Sequence, residues 1–154
     1  MDSQTASTRN SVFISYSRAD KRFLDELHAQ LSHHVRMGLV TYWDDTKIMP
    51  GKRWKVELGN ALQAAKVGVF LVSADFLASD FIANYELRPL LEAAKNEGVV
   101  ILSVILSACV FHDTDLKDFQ AINEPSNPLN QMSRSKRAVI WAQVANFIKN
   151  ELKD

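Results

Sequence analysis

An open α/β fold, a parallel sheet with helices packed on both faces, is what this sequence predicts. Strand-like runs alternate with helix-like periodicities along most of its length. The run Val67 to Val72 is apolar on both alternations, as a strand buried on two faces must be. At 154 residues the chain is long enough to bury one substantial core and short for two domains.

The elements follow in order. Val12-Phe13-Ile14 belongs to a first strand that stops in the hydroxyls of Ser15-Tyr16-Ser17. Asp20 is placed to cap a first helix, on which Phe23, Leu24, Leu27 and Leu31 share one stripe. Gly38 ends that region, and the β-rich Leu39 to Trp43 predicts a second strand. A polar loop from Asp44 to Arg53 leads into a second helix to about Lys66, with Trp54, Leu58, Ala61, Leu62 and Ala65 at helical spacing. After the central strand, a third helix is expected from near Asp75 to Asn96, turning Leu87, Leu90, Leu91 and Ala94 inward. Pro89 should kink or split it. Val99 to Leu106 is the fourth strand. From Ser107 to Arg134 the pattern fails: Pro125, Pro128 and several Asn and Asp predict a long loop with a short helical turn near Leu116 to Phe119. Lys136 to Leu152 closes the chain as a helix with Ile140, Val144, Phe147, Ile148 and Leu152 on one face. This alternation suits a flavodoxin-like, doubly wound sheet of five parallel strands in the order 2-1-3-4-5. Residues 1–10, polar and rich in Ser and Thr, are expected to be disordered, leaving 11–154 as a single domain. Its end on a helix leaves room for it to be the N-terminal module of a larger protein.

Composition narrows the function classes. Lys plus Arg equal Asp plus Glu at 18 each, so no overall field draws in nucleic acid or anionic lipid. The longest apolar runs fall well below the ~20 residues that span a bilayer. Met1 to Asn10 lacks the apolar stretch of a signal peptide, and the single Cys109 excludes an internal disulfide framework. A cytoplasmic domain is expected.

Ligands in such sheets bind beyond the carboxyl ends of the strands, at the switch between strands one and three. The loops there are Ser15-Tyr16-Ser17-Arg18 and Ser73-Ala74-Asp75. A phosphoacceptor site is excluded, because it needs acidic residues where this chain has Ser15-Tyr16 and Ser73. There is no GxGxxG or GxxxxGK[ST] loop to cradle a dinucleotide in the usual mode. His33-His34 has no second ligand pair at metal spacing, and Cys109 after an apolar strand suits a core thiol. Glu86 is the lone carboxylate among aromatic and aliphatic side chains in Ser79 to Leu87. Helix around it reaches the cleft only if the chain loops back near Ala78 to Asp80.

These segments resemble a known family. Val12 to Ser17 is similar to the first sequence box of Toll/interleukin-1 receptor (TIR) domains, and Tyr42-Trp43-Asp44-Asp45 with Lys47, Pro50 and Gly51 resembles their BB loop. The final helix is similar to the family's last, with Trp141 an approximate counterpart of the usual Phe-Trp pair. The likeness runs from about Ser11 to Leu152. Glu86 matches the helix-borne Glu of the NAD-cleaving branch, although Phe81 and Ile82 stand where those enzymes often carry Trp.

The resemblance implies an NAD+ glycohydrolase in defence signalling, with Glu86 catalytic, NAD+ as substrate and no metal required. It places Tyr16, Ser17 and Arg18 along the ribose and phosphates, Trp43 and Asp44 beside the pocket, and Lys52 within reach of a phosphate. Phe13, Ile82 and Tyr85 complete the expected binding set. Other TIR domains are the expected partners, through the 44–53 loop, where Ile48 and Met49 are apolar side chains without an obvious intramolecular use; neither nucleic acid nor membrane is expected. One carboxylate suffices for such chemistry. The leaving group is a pyridinium that departs neutral, so no general acid is needed, unlike ordinary glycoside cleavage. The alternatives are a non-catalytic module acting by TIR–TIR contact, and a ribosyl or deoxyribosyl transferase acting on nucleosides.

Overall fold

The computed structural model describes residues 9–153 and contains a five-stranded sheet. Its strands are β1 (Ser11–Ser15), β2 (Tyr42–Trp43), β3 (Ala65–Val72), β4 (Val100–Ile105) and β5 (Gln120–Ala121). They lie in the order β2-β1-β3-β4-β5, every neighbouring pair parallel. The doubly wound, flavodoxin-like arrangement is the one expected.

Alternation along the strands sorts the core into two layers. Val12, Ile14, Val67, Val69 and Leu71 meet Leu24, Leu27 and Leu31 of α1 (Lys21–Arg36) and Trp141, Val144 and Ile148 of α6 (Arg134–Leu152). Phe13, Phe70 and Val72 face the other way. There they meet α2 (Trp54–Ala64), α3 (Ala74–Ala78), α4 (Asp80–Ile82) and α5 (Arg88–Glu97) through Leu58, Phe76, Ile82 and Leu90. Gly68 lets α5 seat closely: a Cβ there would lie 3.3 Å from both Leu90 Cδ1 and Ile101 Cδ1.

Several boundaries differ from those expected. β2 is only Tyr42–Trp43, because Gly38 turns the chain at φ +73° and leaves Leu39 exposed. α2 stops at Ala64, and β3 begins two residues before Val67. The fifth strand lies inside the expected loop, paired Leu102↔Gln120 and Ser103↔Ala121. Two residues without an apolar run give no strand signal. Asn123 continues the pairing with its side chain, accepting from Ile105 N–H at 2.9 Å and donating to Ile105 C=O at 3.0 Å. The helical turn near Leu116 is a 3-10 turn, Asp115–Asp118. α6 starts at Arg134, two residues early, because Ser133 caps it through Lys136 N–H. The described fold also begins before Ser11: Arg9 donates to Leu62 and Ala65 carbonyls and pairs with Glu97 at 2.8 Å. Asn10 N–H also donates to Ala64 C=O at 2.9 Å, and residues 1–8 of the expected disordered segment lie outside the described residues.

The third helix breaks at Ser79 and not at Pro89. Ser79 is extended (φ −82°, ψ 110°) and its hydroxyl accepts from Ile82 N–H, so one helix ends and another starts in a new direction. Helical structure then runs from Asp80 to Glu97 through a π turn, Ala83–Leu87, in which Arg88 N–H reaches back to Ala83 C=O. Pro89, which has no N–H to give, follows immediately in the first turn of α5. A π turn inserts an extra residue into the helical period, and such turns cluster at functional sites. Here it carries Glu86.

Candidate active site

Glu86 is a buried carboxylate at the carboxyl edge of the sheet, only 7% exposed. Ser15, the last residue of β1, donates its hydroxyl to Glu86 Oε1 at 2.6 Å. Burial pushes the Glu86 carboxyl up to about 7; the Ser15 hydrogen bond opposes this, and the charge of nearby Asp45 adds to it. A cavity of about 440 Å³ opens beside the carboxylate, walled by Trp43, Ile48, Trp54, Leu58 and Phe81, with Arg18 and Asp45 completing it. A smaller one of about 280 Å³ is lined by Tyr16, Ser17, Ser79 and Ile82. Arg18, Asp45, Phe81 and Glu86 border both, so the two are lobes that meet at the carboxylate. One lobe is aromatic and aliphatic, the other rich in hydroxyls.

The expected site residues divide. Glu86, Arg18 and Trp43 line the larger lobe, and Tyr16, Ser17 and Ile82 the smaller. Phe13 does not reach either: β1 is an inner strand, and Phe13 lies fully buried behind Trp43, ring centroids 5.2 Å apart. Asp44 points away as well, fully buried, with Oδ2 2.7 Å from His28 Nε2 and Oδ1 accepting from Thr46 N–H at 3.0 Å. Burial raises its carboxyl, but the hydrogen bonds from His28 and Thr46 outweigh that and hold it below the ordinary range. Its neighbour Asp45 is the acid that faces the cavity. Tyr16 OH donates to Asp45 Oδ1 at 2.7 Å, and Arg18 Nε lies 3.6 Å from Oδ2. Lys52 is exposed on the loop and lines neither lobe. Tyr85 stands outside too, against Phe81 and the edge of Trp54.

Trp54, Asp45, Ile48, Leu58, Ser79 and Phe81 are the lining residues outside the expected binding set. Trp54 was placed on the core stripe of its helix. It is the first residue of α2, half exposed, packed against Phe81 with ring centroids 5.5 Å apart. An aromatic opening a helix directly after a strand-end loop was the available signal. Ile48 turns into the larger lobe, while Met49 points to solvent, 62% exposed. Cys109 packs against the core, and burial raises its thiol, which suits no nucleophile.

The arrangement can stabilise positive charge that develops beside Glu86 in a site partly closed to water. Arg18, 89% exposed at the mouth, can meet an anionic group of a ligand. Among the described residues, no group of three or more His, Cys, Asp or Glu is placed to hold a metal, and no helix is long and apolar enough to cross a membrane.

Comparison with known proteins gives this geometry a family. The chain is 30% identical over 139 residues to the uncharacterized protein y4lF of Sinorhizobium fredii (strain NBRC 101917 / NGR234), covering 90% of this chain and 42% of that protein. It is 24% identical over 152 residues to the disease resistance protein RML1A of Arabidopsis thaliana, covering 92% of this chain and 14% of that protein. The chain thus spans less than half the length of either relative. The sequence profile described as TIR domain matches residues 12–136, the stretch that builds the sheet and both lobes, and the chain belongs to the TIR domain family.

Proposed function

We propose that this TIR domain is an NAD+ glycohydrolase that breaks the nicotinamide–ribose bond, with Glu86 as the catalytic residue. The observation that carries this is the placement of one buried carboxylate where an aromatic lobe meets a hydroxyl-lined one. A dinucleotide with a flat base, a ribose and a diphosphate suits that division. Trp43, Trp54 and Phe81 offer ring faces to a base, Tyr16, Ser17 and Ser79 offer hydroxyls to ribose, and Arg18 offers a cation to the diphosphate. As the C1′–N1 bond breaks, its electron pair neutralises the pyridinium nitrogen, and nicotinamide leaves without a proton. Ionised Glu86 stabilises the oxocarbenium character at C1′. Water then adds to C1′ and releases a proton, giving ADP-ribose; attack by the adenine ring gives a cyclic product instead.

Incubation with NAD+ and, in parallel, with deoxynucleosides decides between the readings. Nicotinamide release abolished by Glu86→Gln supports the glycohydrolase. Base exchange on deoxynucleosides alone points to a transferase, and no turnover of either leaves a TIR scaffold. Trp54→Ala should raise KM for NAD+ by about tenfold with a much smaller change in kcat, the signature of lost base stacking in ground and transition states alike. An unchanged KM would remove Trp54 from the substrate site.

Activation by self-assembly belongs to the same proposal, within a defence response of the kind the name of the Arabidopsis relative indicates. Met49 is the exposed apolar residue of the 44–53 loop and the candidate contact with a second TIR domain. Specific activity should rise with protein over about a hundredfold range of concentration, and Met49→Asp should flatten that rise with Tm unchanged. Activity independent of concentration, with light scattering of a monomer throughout, would identify a self-sufficient enzyme.

A further inference from the structure

We infer that His28, on α1 and outside both lobes, is a positioning residue for the site: through Asp44 it holds the turn that presents Asp45 to the cavity. A fully buried carboxylate is tolerated only when its oxygens have partners. Asp44 Oδ1 is occupied by the backbone N–H and the hydroxyl of Thr46, both within its own loop. Oδ2 depends on His28, 2.7 Å away and sixteen residues earlier on a separate helix. The His28 ring also packs on Tyr42, centroids 5.2 Å apart, and Lys47 Nζ sits 4.0 Å from the centroid of the same Tyr42 ring. Helix, strand end and loop are therefore joined around one buried acid.

That acid caps the 3-10 turn Asp45–Lys47. The first residue of the turn is Asp45, which borders both lobes, accepts from Tyr16 and faces Arg18. The residue after the turn is Ile48, a wall of the larger lobe. Without His28, Asp44 Oδ2 has lost its donor, and an unpaired buried acceptor costs enough to turn the carboxylate outward. Thr46 is then released, the turn loosens, and Asp45 and Ile48 move from the cavity together. Glu86 would lose a neighbouring negative charge and part of its cover, both of which keep its carboxyl high.

The inference rests on the glycohydrolase reading for its kinetic arm alone, so two arms are measured. The first needs no turnover: the pH dependence of Tm for each protein, minus that of its Glu86→Gln counterpart, reports the Glu86 titration. In His28→Leu the midpoint should fall by about half a unit or more, and His28→Gln, which retains an N–H donor of similar reach, should restore it. The second arm is kcat/KM for NAD+, expected to fall about tenfold in His28→Leu and to recover in His28→Gln, as for a displaced site wall. His28→Asn, whose amide is too short to reach Asp44, should show the same shift in a milder background if His28→Leu does not fold. A His28→Leu or His28→Asn protein with lower Tm but an unmoved Glu86 titration would make His28 a packing residue and overturn the inference. Absence of NAD+ turnover in the wild type would remove the second arm and the glycohydrolase reading, leaving the first arm to decide.

Discussion

Glu86→Gln is expected to abolish most nicotinamide release, by ~10² or more, and at the same time to make the protein more stable above neutral pH. The first effect follows from removing the charge that meets the developing oxocarbenium, a loss of the size measured for a principal electrostatic partner. The second follows from burial. Glu86 titrates near 7 in the fold against an ordinary value of 4.5. Between those values the folded state holds a proton that the unfolded chain has lost, so stability falls as pH rises through that window and levels off above 7. The full difference corresponds to about 3 kcal/mol, from ~1.4 kcal/mol per unit. Glutamine keeps an acceptor for Ser15 Oγ and never ionises, so it escapes this penalty. At pH 8 a rise in Tm of about 5 °C or more should accompany the loss of activity, vanishing near pH 4.5. The wild-type kcat/KM should climb with pH and plateau above about 7, since the ionised form is the active one. A solvated surface Glu would show neither the stabilisation nor that limb, and a variant with normal turnover would remove Glu86 from catalysis.

This coupling also explains why the site was partly legible in the sequence. A carboxylate within an apolar helical run is conspicuous, and Ser15 stands at the abrupt end of the β1 run. The break near Ala78 to Asp80 that carries Glu86 toward the cleft was readable from small and polar residues, and extended Ser79 supplies it. The π turn was not, because it leaves the apolar periodicity too little altered to be read. Adjacent acids at Asp44 and Asp45 posed a different difficulty. In extended backbone, neighbours point to opposite sides, so one of the pair had to turn inward and the other outward. Composition is silent about which. The structure sends Asp44 toward His28, sixteen residues earlier, and Asp45 to the cavity.

The fold was legible where burial and periodicity coincide. Val67–Val72 is buried throughout in β3, and Phe23, Leu24, Leu27 and Leu31 form the buried stripe of α1. β5 was not, because a two-residue edge strand draws its position from Asn123 and the pairing with Leu102 and Ser103, not from its own composition. Phe13 lies away from both lobes for the opposite reason. It lies in a run bordering the site, but an inner strand covered on both faces leaves no side chain of its middle free to meet a ligand.

Leu71→Asp should unfold the domain at neutral pH. Leu71 lies in the strand between β1 and β4 and has no exposed surface, packed in the layer that holds α1 and α6 to the sheet. Unlike Glu86, an aspartate there would meet no hydroxyl and no cavity. An unpaired charge so placed costs several kcal/mol, a large share of the ~5–15 kcal/mol that stabilises a domain. Protonation relieves part of that cost, so the variant should regain structure as pH falls toward 5, before general acid destabilisation sets in. Val139→Asp supplies the control: the side chain sits on α6 but is 57% exposed, and its replacement should move Tm by less than about 2 °C. Thermal melts followed by circular dichroism at pH 8 and pH 5 would measure both. A cooperative, near-native melt of Leu71→Asp at pH 8 would place β3 outside the core and dissolve the frame that brings Ser15 and Glu86 together.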